Sequence, residues 1–478
     1  MRRTMLALLC SLAVMPLAQA DFLTPSSSSL LPPQRSSSAM PASDGPVINL
    51  VQAYERMLLN DPQVQAARAA RDAGRDSGNI ARAALLPQAS INYLRNRTRL
   101  AEKVAVSGAD QSVTVKDKFY GQRRGVTIEQ TLFDYSAIST YRMGETQAEY
   151  ADLQYRLQFQ QEAVTLIDAY LNALLARDSL QLARYQLRIY QEMLRGNERM
   201  MAQGEGTRID ILETRTQIGA TEAELVNYEN ELADRLRELA ALLGEPLHEQ
   251  QLMAINLESE LLPLQSADLK TLQTDARQQN PEVQAARLGV RYNDLTIERE
   301  KGQFMPRVSA YASYEHIESD NINNKGRNYD SNTIGLQVTV PLFNGGSSYY
   351  ATRQAVNRRE QARFELDHAT SNTATMLEKY YRVCATSSRR ITTLRQNAAD
   401  STQLVQAMRR SVSGGERTNS DALNAERQAY QARLELLRSY VEWFQGYAKL
   451  QFYAGRFSED DVLALNRQLV FATRQAVE

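Results

Sequence analysis

The chain has 478 residues, 43% of them hydrophobic, and its 55 Lys and Arg balance 56 Asp and Glu at a formal net charge of -1. Such a balance offers no basic footprint for a nucleic-acid partner, and two cysteines, Cys10 and Cys384, do not make a disulfide scaffold. Past residue 20 no run of about 18 apolar residues could span a membrane as a helix, whereas a β-barrel leaves little trace in hydropathy and stays open.

Residues 1–20 have the layout of a signal peptide: Arg2-Arg3, an apolar run from Met5 to Val14, and Ala18-Gln19-Ala20 as a small-x-small cleavage site. The mature chain is expected to begin at Asp21 with a net charge of -3, since Arg2 and Arg3 are lost. Leu9 stands before Cys10 where lipid attachment wants a small residue, so lipidation there is disfavoured. Cys384 would then be the only thiol, and stability must come from packing. Residues 21–47 are rich in Ser and Pro (Ser26 to Ser29, Pro32-Pro33, Ser36 to Ser38) and read as a tether that cannot fold alone. Leu50, Ala53, Tyr54, Met57 and Leu58 predict a short amphipathic helix stopped before Pro62.

From Asp61 onward the chain is a duplication. Asp61-Pro62-Gln63-Val64-Gln65-Ala66-Ala67-Arg68 returns as Asn280-Pro281-Glu282-Val283-Gln284-Ala285-Ala286-Arg287, a shift of 219, and Pro87 returns as Pro306. Leu132-Phe133-Asp134 returns as Leu342-Phe343-Asn344 at a shift of 210, so the first copy holds nine more residues in between, which marks a loop. Gly204 and Asp210-Ile211-Leu212 match Gly415 and Asp421-Ala422-Leu423 at a shift of 211. The copies are placed at 48–244 and 280–454, with linking segments at 245–279 and 455–478.

Each copy offers one long rod and two shorter ones. Tyr141 to Ala202 and Tyr349 to Val412 contain no Pro and carry apolar residues at spacings of threes and fours; 62 and 64 residues make helices of roughly 93 and 96 Å. Pro62 to Leu85 with Ile209 to Leu243, and Pro281 to Phe304 with Asp421 to Ala454, could stack end to end beside them. Rods this long need coiled-coil partners.

Between the short and long rods lie strand pairs, expected at about 88–133 and 307–343. Val308, Ala310, Ala312 and Tyr314 alternate with polar residues, as do Ile334, Leu336, Val338 and Val340, and the first copy offers Ala89, Ile91 and Tyr93, then a longer loop, then Val126, Ile128 and Leu132. Ser107-Gly108 and Asn323-Asn324 lie in the intervening loops. Tyr93, Phe119, Tyr120, Phe133, Tyr135, Tyr311, Tyr314, Phe343, Tyr349 and Tyr350 gather there, which fits an aromatic girdle or the plain preference of aromatics for strands. Four strands cannot close a barrel, so their edges must pair between chains; three chains would supply twelve strands.

Catalytic chemistry has no candidate cluster, because His248, His316 and His368 stand in different elements without ligands at metal spacing. No phosphate-cradling glycine motif is present, and no cofactor is expected. The stretch Gly414 to Ala425, at the turn opposite the strands, reads either as an ordinary capped helical hairpin or as a functional tip, with Asp421 able to cap a helix start.

Together, the two Asn/Asp-Pro helix starts, Leu342-Phe343-Asn344-Gly345-Gly346 after a strand, the Gly-x-x-x-x-x-Asp turns and Ser458 to Asn466 resemble the TolC family of outer-membrane exit ducts, from about Ile48 to the C-terminus. The final stretch is closer to the non-lipidated secretion branch. The resemblance implies a mainly α protomer in a homotrimer: a twelve-stranded barrel in outer-membrane lipid, a twelve-helix tunnel through the periplasm, and an equatorial collar from residues 48–60, 245–279 and 455–478. It places the barrel-to-helix transitions at Pro87, Pro306, Phe133, Phe343, Gly345 and Gly346. It also implies a pinched periplasmic end lined by Asp421, with Arg417 linking to a neighbouring helix pair and Asp210 as a plausible partner. Asn424 departs from a second acidic ring of the family. The implied partners are a periplasmic adaptor and an inner-membrane ABC transporter or other pump, passing protein cargo such as large adhesins or toxins. A drug-efflux duct on the same fold, or a poreless periplasmic scaffold, are the competing readings.

Overall fold

The computed structural model describes residues 47–105, 112–258, 260–262 and 269–470. The expected signal peptide, all but the last residue of the tether, the Ser107-Gly108 loop tip and the last eight residues of the 455–478 segment lie outside the described residues. In chain order the elements are α1 (Leu50–Asn60), α2 (Pro62–Ala83), β1 (Gln88–Ala105), β2 (Ser112–Phe133), α3 (Tyr135–Ala202), α4 (Arg208–Leu243), β3 (Ala254–Ile255), α5 (Leu269–Gln279), α6 (Pro281–Gly302), β4 (Arg307–Glu318), β5 (Asn328–Thr339), α7 (Ser347–Ser413), α8 (Asn419–Ala454), α9 (Glu459–Asn466) and β6 (Leu469–Val470).

The repeated Asn/Asp-Pro step is a helix start in both copies. Asp61 accepts from the Gln63 N–H at 2.7 Å, Asn280 accepts from the Glu282 N–H at 2.9 Å, and proline takes the first helical position, where no N–H is needed. The long helices α3 and α7 hold 68 and 67 residues, each about 100 Å. They begin some residues earlier than their apolar stripes predict. For α3 the reason is Asp134, which caps it directly off the strand by accepting from the Ala137 N–H at 3.1 Å. Helix α3 packs on α2, α4, α6 and α8, and α7 on α5, α6 and α8.

The four long strands form one antiparallel sheet in the order β1-β2-β4-β5. Its register lines up Ala89, Ile128, Ala312 and Ile334 on one face, and Ser90, Thr127, Ser313 and Thr333 on the other. The apolar face is bare: Ile91 is 82% exposed and Ile334 80%. From Leu132 to Arg124, where charge takes over, is eight residues of β2, about 27 Å of strand. At a tilt of about 40° that covers roughly 20 Å, near the height of a lipid-facing band. Strands β1 and β5 are edges without a partner among the described residues.

Two expectations need correction here. The second strand pair ends at Thr339 rather than 343, because Pro341 has no N–H to continue the ladder. Phe119 is buried on the polar face and takes no part in a girdle. Among the aromatics of that set the exposed ones form two groups: Phe133, Phe343, Tyr349 and Tyr350 at the helical end, and Tyr93, Tyr120 and Tyr314 toward the hairpin tips.

The thick hydrophobic core sits halfway along the rods. There α1, α5, α9 and the small β3–β6 sheet wrap the middles of α3 and α7 and the C-terminal half of α8, burying Trp443, Tyr170, Tyr440 and Phe444. Tyr170 donates to the Ile48 carbonyl at 2.7 Å, and Arg177, itself buried, donates to the Leu252 carbonyl at 2.7 Å and pairs with Asp178. No helix among the described residues is long and apolar enough to cross a membrane, a fact that leaves a barrel untouched.

Candidate functional site

Two places in the fold hold the residues singled out by sequence: the turns at the tips of the helical hairpins, and the junctions between strands and long helices.

At the tips, α3 turns into α4 through Gly204 and α7 into α8 through Gly415, whose φ values of 80° and 76° lie in the left-handed region that a side chain resists. Both following helices start with the same capping box. Thr207 and Thr418 are the N-caps, and Asp210 and Asp421 stand three residues later, accepting back from the threonine N–H at 3.0 and 3.1 Å. Asp421 is thus the third residue of its helix and not the cap itself. Its carboxyl is held below the ordinary aspartate range, first by the Thr418 N–H, then by the Thr418 hydroxyl, with the Arg417 charge adding to both.

Arg417 is exposed and forms no ion pair within the chain among the described residues; Asp210 is occupied by Thr207, so the protomer does not bring these two together. Asn424, also exposed, accepts from Arg427 at 3.2 Å. Arg417, Asp421 and Asn424 therefore share the free end of α8, with Asp210 at the neighbouring hairpin tip.

Sequence reasoning missed what fastens the two tips to each other. Asn197 of α3 donates to Asn419 Oδ1 at 3.0 Å and to Thr214 Oγ1 at 2.9 Å, while Asn419 donates to the Asp210 carbonyl and to Thr214 at 3.3 Å each. Asn419 is buried. Further along, the Tyr430 hydroxyl donates to Tyr228 at 3.3 Å, and burial followed by this contact keeps the Tyr430 phenol protonated well above its usual range. The one available signal was a mismatch between the copies: Asn419 stands where the first copy has Arg208, which is exposed. Each hairpin also carries a cross-helix ion pair at matched positions with the charges exchanged, Glu198 with Arg215 at 2.9 Å and Arg409 with Glu426 at 2.5 Å.

At the junctions, Pro87 precedes β1 and Pro306 precedes β4, each after a few turn residues. Phe133 is the last residue of β2. In the second copy Pro341 to Asn344 run outside the ladder, leaving Phe343 86% exposed, and the chain enters α7 through Gly345 and Gly346, at φ 70° and 84°. Asn344 then donates to Ser348 Oγ at 2.5 Å, steadying the first turn. Among the described residues no group of three His, Cys, Asp or Glu side chains could hold a metal ion.

Comparison with known proteins agrees with this architecture. The chain is 34% identical over 420 residues to the alkaline protease secretion protein AprF of Pseudomonas aeruginosa, covering 88% of this chain and 87% of that one. It is 33% identical over 421 residues to the proteases secretion protein PrtF of Dickeya chrysanthemi, covering 87% and 90%. The crystal structure of the channel protein CusC shares the fold at a TM-score of 0.73 and 17% identity, over 87% of this chain and 95% of that chain. The family model described as outer membrane efflux protein matches residues 53–245 and 272–456, one segment for each copy of the duplication. The chain belongs to the outer membrane efflux protein family.

Proposed function

We propose that this chain is the outer-membrane exit duct of a type I secretion system, passing protein cargo from an inner-membrane ABC transporter and a periplasmic adaptor to the outside. The observation that carries this reading is similarity along almost the whole chain to two protease secretion proteins at about a third identity. The duct is a homotrimer: the four-stranded sheet, whose two edges are unpaired among the described residues, closes a twelve-stranded barrel when three chains meet, and the bare apolar face then meets lipid. Residues 48–60, 245–258, 269–279 and 455–470 form the collar around the tunnel. The loop at Asn323-Asn324 faces the cell exterior, as the polar tip of the second strand pair at one end of the rods. Asp421 lines the periplasmic constriction, three carboxylates around one axis, and Arg417, without an ion pair among the described residues, reaches a carboxylate of a neighbouring hairpin such as Asp210.

The test is secretion by a strain that lacks its own duct and carries a protease ABC exporter and adaptor. Protease in the medium on expression of this chain is the expected result, together with a particle of three chains in detergent. Restored resistance to small toxic compounds without protein export would instead assign the duct to drug efflux, and a stable, fully helical monomer would reject the channel.

A further inference from the structure

The first strand pair outruns the second: β1 and β2 hold 18 and 22 residues, β4 and β5 only 12 each. Beyond the apolar rows, the face that carries Ile91 and Val126 continues up β1 as Arg95, Arg97, Arg99 and Lys103, and on β2 as Lys118 and Lys116. Pairing of Arg99 with Lys118 and of Ala101 with Lys116 puts these side chains together, all of them exposed. On β1 and β2 strand alternation sends the acids of this stretch, Glu102 and Asp117, to the opposite face, where Asp117 pairs with Lys325 of the folded-over second loop; Glu318 of β4 shares the cationic face, across Gln122 from Arg95, and accepts from Gln122 at 2.6 Å. None of the six cations has a carboxylate partner among the described residues, and Arg97 lies 5.5 Å over the Tyr120 ring. Six like charges in one ladder repel one another and call for an external anion.

Position and length narrow what that anion is. The ladder is continuous with the lipid-facing band, beginning two residues above Tyr93. From Arg95 to Lys103 is eight residues, about 27 Å of strand, or roughly 20 Å along the normal at a 40° tilt. An ordinary headgroup layer is only about 5–8 Å deep. We propose that this ladder binds the phosphate groups of an outer-leaflet glycolipid, whose phosphorylated sugars extend far enough to meet it. The assignment rests on the hairpin tips facing outward, and the binding experiment below does not depend on that orientation.

The experiment titrates purified protein in neutral detergent with lipopolysaccharide, with its dephosphorylated form and with phosphatidylglycerol. The comparison variant combines Arg95→Gln, Arg97→Gln, Arg99→Gln, Lys116→Gln and Lys118→Gln. Wild type is expected to prefer the phosphorylated glycolipid at least tenfold and to lose affinity in high salt, while the variant binds it on the order of a hundredfold more weakly at low salt. Equal binding by the variant, indifference to phosphate, or equally tight phosphatidylglycerol binding would each overturn the assignment. Unchanged single-channel conductance checks that the variant is folded; should it misfold, the pair Arg99→Gln with Lys118→Gln and the salt dependence of wild type give the same decision. An epitope at Asn323 that antibody cannot reach on intact cells, with lipid binding intact, would reject the orientation and leave the headgroup site standing.

Discussion

Arg409→Ala strips a carboxylate of its guanidinium at the tip of the second hairpin. Glu426 accepts from Arg409 Nε at 2.8 Å and Nη2 at 2.5 Å, and its side chain is only 7% exposed. Removing one partner of a fully buried pair costs about 3–5 kcal/mol. Arg409 is 44% exposed, so water reaches the vacated side, and about 2 kcal/mol is the better figure. The matched pair of the first hairpin, Glu198 with Arg215, is exposed at both ends, so Glu198→Ala should cost about 0–1 kcal/mol. Hydrogen exchange of the tip amides measures both as changes in local opening. Arg409→Ala should speed exchange around residues 405–430 roughly thirtyfold, and Glu198→Ala should speed the first tip no more than about fivefold. Exchanging the charges, Arg409→Glu with Glu426→Arg, reproduces the polarity of the first copy and should recover most of the loss. Equal effects in the two hairpins, or none in the second, would refute the argument from burial.

Thr418→Ala should fray the first turn of α8 at a cost of about 1 kcal/mol, seen as faster exchange confined to that turn. Because the Asp421 carboxyl titrates below its ordinary range, its contribution to the capped turn is complete above the ordinary aspartate value and is lost only as pH falls through the lowered one. Cation selectivity in planar bilayers should persist into that acid range, and Asp421→Asn should weaken it together with block by multivalent cations at neutral pH. Arg417→Ser should raise single-channel conductance without changing selectivity; wild-type behaviour in both variants would move the constriction elsewhere. An epitope inserted at Asn323 should be labelled on intact cells, and labelling only after outer-membrane lysis would reverse the topology.

The long elements were legible because their signals are covalent and local. Pro62 and Pro281 start helices, the Pro-free stretches run as single rods, and strand alternation put Ile91, Val126, Ala312 and Ile334 on the faces where the register holds them. Pro341, by contrast, ends the second strand pair early despite the likeness of Leu342-Phe343-Asn344 to Leu132-Phe133-Asp134, because a residue without an N–H cannot stay in a ladder. Asp421 was legible as a helix-start residue, but its exact place depended on Thr418 three residues before it. The Asn197, Thr214 and Asn419 cluster was out of reach: these residues lie on three helices, and nothing periodic marks an amide that packs against another 222 positions away. Phe119 looked like the other strand aromatics until the loop from Ser319 to Arg327 folded over its side of the sheet, with Asp320 accepting from Arg123.

The exchanged ion pairs also bear on how a duplicated chain finds its own partners. Helices α3 and α7 hold equivalent places in the duplication, as do α4 and α8, so each long rod meets a second short rod of matching length and turn. In the crossed assemblies Glu198 would meet Glu426 and Arg409 would meet Arg215, like charges in place of attraction. Each tip thus rejects the other copy's helix while accepting its own. Chains in which both pairs have the same polarity should refold with a lower yield of correctly paired hairpins, even where the finished structure is equally stable.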